Sequence, residues 1–195
     1  MFRRSFLGAL ATVLLASTAY TQDAELYAAP PPPDAAFVRF FGFEEGTEVT
    51  WQGLTFSGAD TALENFFVVH SGDVAANPGD LISVIANGST DPIVVVAPKI
   101  ASGKVSIALV NLMDAPVSLY TADKKVEIIA DTAPLSIGWR EVNPIQVEVG
   151  VLKNGELIGE GVSLALRRSE VHSVVVSADG AVRDVRSEFL DGIVE

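Results

Sequence analysis

The sequence contains no cysteine. That removes disulfide staples, thiolate nucleophiles and zinc–thiolate sites together, so a fold built from this chain is held by core burial alone. Histidine is nearly as scarce, with only His70 and His172 among 195 residues. Two distant imidazoles without a thiolate make a poor transition-metal set, and the aspartates at 73, 80, 91 and 131 lack the spacing of a calcium loop. No metal and no cofactor is therefore expected. Basic residues are outnumbered, 13 Lys and Arg against 25 Asp and Glu, for a net charge of −12. Such a chain opposes nucleic acid and anionic lipid, both of which require a basic patch. Contact with an anionic polysaccharide would have to be local and made by the few arginines. Long apolar runs are missing after the N-terminus, and no stretch carries an extended i, i+3, i+4 stripe, so helix content should be low.

What is present begins with a secretory pattern. Arg3 and Arg4, the apolar run Phe6 to Ala16 and the small residues Ser17-Thr18-Ala19 read as a cleaved signal over 1–21. An uncleaved N-terminal anchor is the alternative. Loss of the two arginines with the signal would take the charge from −12 to −14. Residues 22–35, with Pro30 to Pro33, form a stiff Pro-rich leader.

Short β-rich runs follow, separated by Gly, Asn, Asp and Pro turn clusters. Before residue 98 they are Ala36 to Phe43, Val49 to Leu54, Asn65 to His70, Leu81 to Ala86 and Ile93 to Val96. In the first, Phe37, Arg39, Phe41 and Phe43 share one face and Val38 and Phe40 the other, as in a strand covered on both sides. After residue 104 come Val105 to Leu112, Pro116 to Thr121, Val126 to Ile129, a hairpin from Ile145, and Val171 to Val176. The pattern predicts an all-β chain of two small tandem β-sandwich domains, 36–97 and 105–186, with a linker at 98–104 and a frayed tail at 187–195. A single long sandwich is the competing architecture.

The hairpin has the clearest local signal. Ile145, Val147, Val149 and Val151 alternate with Gln146, Glu148 and Gly150, and Asn154-Gly155 supplies type I′ turn chemistry before Leu157 and Ile158. It is preceded by Arg140-Glu141-Val142-Asn143-Pro144. This segment, with Leu26-Tyr27, the proline spacer and Phe37-Val38-Arg39 upstream, resembles the AlgF family of alginate biosynthesis proteins. Asn111-Leu112, Val117-Ser118-Leu119 and Thr121-Ala122-Asp123 make a third stretch similar to that family, whereas Thr47 to Ala97 matches poorly.

No catalytic set stands out. His70, Ser71 and Asp73 have the composition of a triad, but neighbours on a strand point to opposite faces. Neither a G-x-S-x-G elbow nor a Gly-Asp-Ser block is present. His172, flanked by apolar residues, reads as structural, and Trp51 and Trp139 read as core. Arg39, Arg140, Glu141 and Asn143 are the candidate binding residues, since a guanidinium can fork onto a uronate carboxylate. The bland alternative for the arginines is an internal Arg–Glu pair.

The resemblance implies a non-catalytic periplasmic accessory protein of polymer O-acetylation. Its implied partners are a membrane-bound O-acyltransferase, through which it would associate peripherally with the inner membrane, and periplasmic sugar O-acetyltransferases. An alginate-type polymer is a further implied partner. An acetyl-carrying or acetyl-transferring enzyme of the same pathway, and a periplasmic chaperone or adhesin subunit, are the alternatives.

Overall fold

The computed structural model describes residues 31–57, 63–89, 91–99, 101, 103–168, 170–186 and 189–190. The expected signal and the first part of the Pro-rich leader lie outside the described residues. The first strand, β1 (Ala35–Phe41), is buried at every position. As its sequence predicts, it is covered on both faces. Ala36, Val38 and Phe40 enter one core, while Arg39 and Phe41 face the other way. Phe43 departs from the predicted face: β1 ends at Phe41, the chain turns at Gly42 with φ +76°, and the Phe43 ring rests 5.8 Å from Phe40.

The run predicted as one strand at Val49 to Leu54 is two. Strands β2 (Glu48–Trp51) and β3 (Leu54–Ser57) form a hairpin about Gln52-Gly53, whose φ values of +52° and +82° are those of a type I′ turn. Glutamine is an uncommon first residue for that turn, which hid it in the sequence. The hairpin lays Phe56 against Phe40 and Phe67, with centroids 4.7 and 5.3 Å away. Burying one such ring contributes about 2–3 kcal/mol, enough to fix a short hairpin that is marginal alone.

Strands β4 (Phe66–His70), β5 (Leu81–Ile85) and β6 (Ile93–Val96) complete most of the first sheet. Their order is β4-β1-β5-β6, with β1 and β5 parallel.

The remaining chain builds two further sheets from β7 (Val105–Asn111), β8 (Val117–Thr121), β9 (Glu127–Thr132), β10 (Ser136–Val142), β11 (Gln146–Lys153), β12 (Glu156–Ala165), β13 (Val171–Val176) and β14 (Val182–Arg186). One has the order β10-β7-β13-β14 and the other β12-β11-β8-β9. They face each other across Ile107, Leu109, Leu119, Val149, Val151, Leu164 and Val174, a sandwich core. The expected hairpin is β11–β12, with Asn154 at φ +53°. Its register slips between Val149 and Val151, where β12 bulges through Gly159 to Gly161. A side chain at Gly159 would strike Val182 at 2.7 Å, so the bulge lets β12 pass close to β14.

Strands β10 and β14 were not legible as strands. Ser136–Val142 contains glycine and the charged pair Arg140-Glu141, and Val182–Arg186 is mostly charged. Each is an edge strand recruited by pairing with β7 or β13. Two residues of the predicted tail, β15 (Phe189–Leu190), run parallel to β4 in backbone pairing.

The result is all-β, and no α-helix occurs among the described residues. Layers stack as hairpin, first sheet, second sheet and third sheet. Phe41 and Ile85 of the first sheet meet Val110, Val175 and Ile137 of the second. The two β portions thus share a middle layer, which is where the polar side chains of interest lie.

Candidate functional site

The middle layer contains a fully buried cation. Arg39 is 0% exposed, with its guanidinium between the rings of Phe41 at 4.8 Å, Phe66 at 4.5 Å and Trp139 at 5.9 Å. Nε donates to Ser83 Oγ at 3.0 Å and Nη1 to Ser173 Oγ at 2.7 Å. Ser83 lies on β5 and Ser173 on β13, so one side chain ties both β portions. Burial pushes the Arg39 pKa down to about 9, against the charge of Glu64, so it stays protonated at neutral pH. Aromatic faces supply the attraction a carboxylate would otherwise give. A second tie joins the portions nearby, where Arg183 of β14 donates to Glu64. Burial raises the Glu64 pKa, opposed by Arg183 and Arg39. This pair lines a pocket of about 210 Å³ with Phe40, Phe43 and Leu63.

The other candidate binding residues lie apart from Arg39. Arg140 and Glu141 are exposed on β10, and Asn143 follows the strand. Glu141 Oε1 accepts from Ala101 N at 2.6 Å, and Asn143 Oδ1 from Lys104 Nζ at 2.8 Å. The two side chains hold Ala101 and Lys104 against the end of β10. Trp139, one residue before this segment, sets its ring 5.9 Å from the Arg39 guanidinium. Arg39 is enclosed, so the structure brings together Arg140, Glu141 and Asn143 but not all four.

The histidines differ. Exposed His70 Nδ1 pairs with Asp34 Oδ2 at 3.0 Å, rather than with Asp73, and Ser71 beside it is buried. His172 is 1% exposed, with Nε2 3.0 Å from Glu170 Oε2 and Nδ1 3.6 Å from Asp184 Oδ1. Asp184 first, then Glu170, raises its pKa against the opposing effect of burial. Among the described residues, no group of three or more His, Asp or Glu is placed to hold a metal ion.

An open, partly apolar groove lies on the outer face of the first sheet. The β2–β3 hairpin covers β1 and β4 but leaves β5 and β6 partly bare. A groove of about 490 Å³ results, lined by Phe43, Val49, Trp51, Val84, Pro92 and Val94 among others. At its margin β6 is a sheet edge, with Val94 47% and Val96 52% exposed. Sequence reasoning read Trp51 as core and gave β6 no role. The signal was there in Pro92-Ile-Val-Val-Val-Ala-Pro98, an apolar strand bracketed by prolines, which marks an edge.

No family model matches the chain. It is 26% identical over 178 residues to the alginate biosynthesis protein AlgF of Pseudomonas fluorescens, covering 84% of this chain and 82% of that one. Against the protein of the same name from Pseudomonas aeruginosa it is 23% identical over 192 residues, covering 88% and 86%. For Azotobacter vinelandii the values are 25% over 170 residues, covering 80% and 78%. Two solved structures are also similar. The C-terminal domain of AlgF from P. aeruginosa aligns with TM-score 0.38 and 28% identity over 44% of this chain and 97% of that one. The N-terminal domain aligns with TM-score 0.35 and 12% identity over 46% and 100%. The resemblance to the AlgF family carried by the sequence motifs therefore extends over four fifths or more of the chain.

Proposed function

We propose that this chain is a periplasmic, non-catalytic accessory protein in the O-acetylation of an alginate-type exopolysaccharide. It would act as an adaptor between a membrane-bound O-acyltransferase and periplasmic sugar O-acetyltransferases. The observation that carries the reading is the similarity, over more than four fifths of the chain, to proteins named for alginate biosynthesis. The arrangement of side chains fits an adaptor better than an enzyme. His70 is engaged by Asp34 at the surface, and His172 is enclosed between two carboxylates. Among the described residues, neither imidazole is partnered by a hydroxyl nucleophile. The groove and bare edge beside Trp51 offer main-chain and apolar contacts of the kind that docking uses.

The test is deletion of the gene in its host, with acetyl content of the secreted polymer read by NMR. The expected outcome is polymer made but stripped of acetyl, with acetylation restored by the wild type and equally by His70→Ala. Restoration by wild type alone, with His70→Ala folded and present, would favour the acetyl-transferring alternative. Unchanged acetyl content on deletion would overturn the pathway assignment.

A further inference from the structure

We propose that two copies of this chain pair antiparallel through β6, joining their first sheets across a twofold axis at Val95. Among the described residues β6 pairs only with β5. The register joins Ile82 to Val96 and Val84 to Val94, and Ala97 N donates to Leu81 O at 2.8 Å. In an antiparallel ladder, hydrogen-bonded and non-hydrogen-bonded pairs alternate. Leu81/Ala97, Ser83/Val95 and Ile85/Ile93 are then the bonded pairs. Val94 and Val96 direct their N–H and C=O groups away from β5, toward the open edge.

These two residues also bear exposed apolar side chains, so the free main-chain groups and the bare apolar surface coincide. The same alternation places Pro92 and Pro98 at outward positions, where they offer no N–H. The available ladder is thereby limited to Val94 and Val96.

Those limits are symmetric about Val95. Setting Val94 of one protomer opposite Val96 of its partner forms two bonded pairs. It also sets Pro92 against Pro98 and Asp91 against Lys99, both exposed. The charges are complementary in both halves of the interface at once. A slip of two in the pairing partner, to Val94 against Val94 or Val96 against Val96, loses this match: Asp91 then faces Ala97, or Lys99 faces Ile93. The four outer valines would cover one another beside the two Trp51 grooves, as cross-strand β-branched pairs do. An isologous contact of this kind closes at two copies and leaves no free β6 edge for a third. The inference is independent of the acetylation reading, since a monomer would leave that reading standing and a failed acetylation assay would leave the dimer standing.

The experiment is sedimentation of the purified full chain over a wide concentration range, to millimolar, at physiological salt. The wild type is expected to double in mass as concentration rises. Val94→Pro removes a donor that β5 does not use, so it should keep the wild-type circular dichroism and unfolding midpoint while remaining monomeric. Asp91→Lys and Lys99→Asp should each self-associate roughly tenfold more weakly, because both cross-strand attractions become repulsions. An equimolar mixture of the two should dimerise again, because each Lys then meets an Asp. A wild type that stays monomeric throughout would overturn the proposal and leave β6 as a proline-bracketed edge that resists pairing. A dimer indifferent to Val94→Pro, or a mixture no tighter than its components, would overturn it equally.

Discussion

Arg39 and His172 are both nitrogen bases taken out of water in an acidic chain, and the two β portions handle them in opposite ways. Arg39, on the first sheet, has two hydroxyls and three aromatic rings about it and, among the described residues, no carboxylate in direct contact; burial depresses its pKa to about 9. His172, within the sandwich, lies between Glu170 and Asp184, and their charges raise its pKa. The first arrangement fixes one geometry between layers and is insensitive to pH across the physiological range. The second makes the β13–β14 edge pH-dependent. A guanidinium suits the first role because it is planar, weakly hydrated and stacks on rings; an imidazole suits the second because it titrates near neutrality.

The comparison can be broken most severely at Arg39. Arg39→Ala should cost about 3–4 kcal/mol, since it opens a void among three rings and strands two buried serines. Urea unfolding would measure this, and a loss under 1 kcal/mol would show that the cation is dispensable to the layer. Arg39→Met sharpens the point. Filling the space without charge should recover at least half of that loss, because an apolar replacement of similar volume avoids the desolvation cost.

At His172 the expected effect is smaller. His172→Gln retains hydrogen bonding but not the charge, and should cost about 1–2 kcal/mol at neutral pH. Its signature is the pH dependence. Because the folded pKa lies above the ordinary 6.5, the charged contacts contribute fully below pH 6.5, while the carboxylates stay ionised. That contribution fades as pH rises through the raised folded value. The stability gap between wild type and His172→Gln should therefore narrow on the alkaline side, and a gap that widens there would contradict the assignment. The smallest effect belongs to the exposed His70–Asp34 pair. His70→Ala should leave the unfolding midpoint unchanged within error, since surface ion pairs contribute little.

Much of the fold was legible without coordinates. Ile93–Val96 and Val171–Val176 are the strands their composition predicts, and Asn154-Gly155 turns as its chemistry requires. The misses share a cause. Strands β10 and β14 have weak local pattern and exist because β7 and β13, buried on both faces, need partners for their backbone groups. The candidate site was read less well. Arg39, Arg140, Glu141 and Asn143 looked alike as polar residues in an acidic chain, and nothing local separates a buried arginine from an exposed one.

By itself the sequence determined the all-β character, the absence of thiol chemistry, the double burial of β1 and the resemblance to the AlgF family. These follow from residue types and two-residue periodicity, which act over a few positions. Only the tertiary structure decided that Arg39 bridges Ser83 and Ser173, that Glu141 and Asn143 bond Ala101 and Lys104, and that β6 is left as an edge. Each of those depends on which strands become neighbours, and that choice is made by the fit of whole faces rather than by any local pattern.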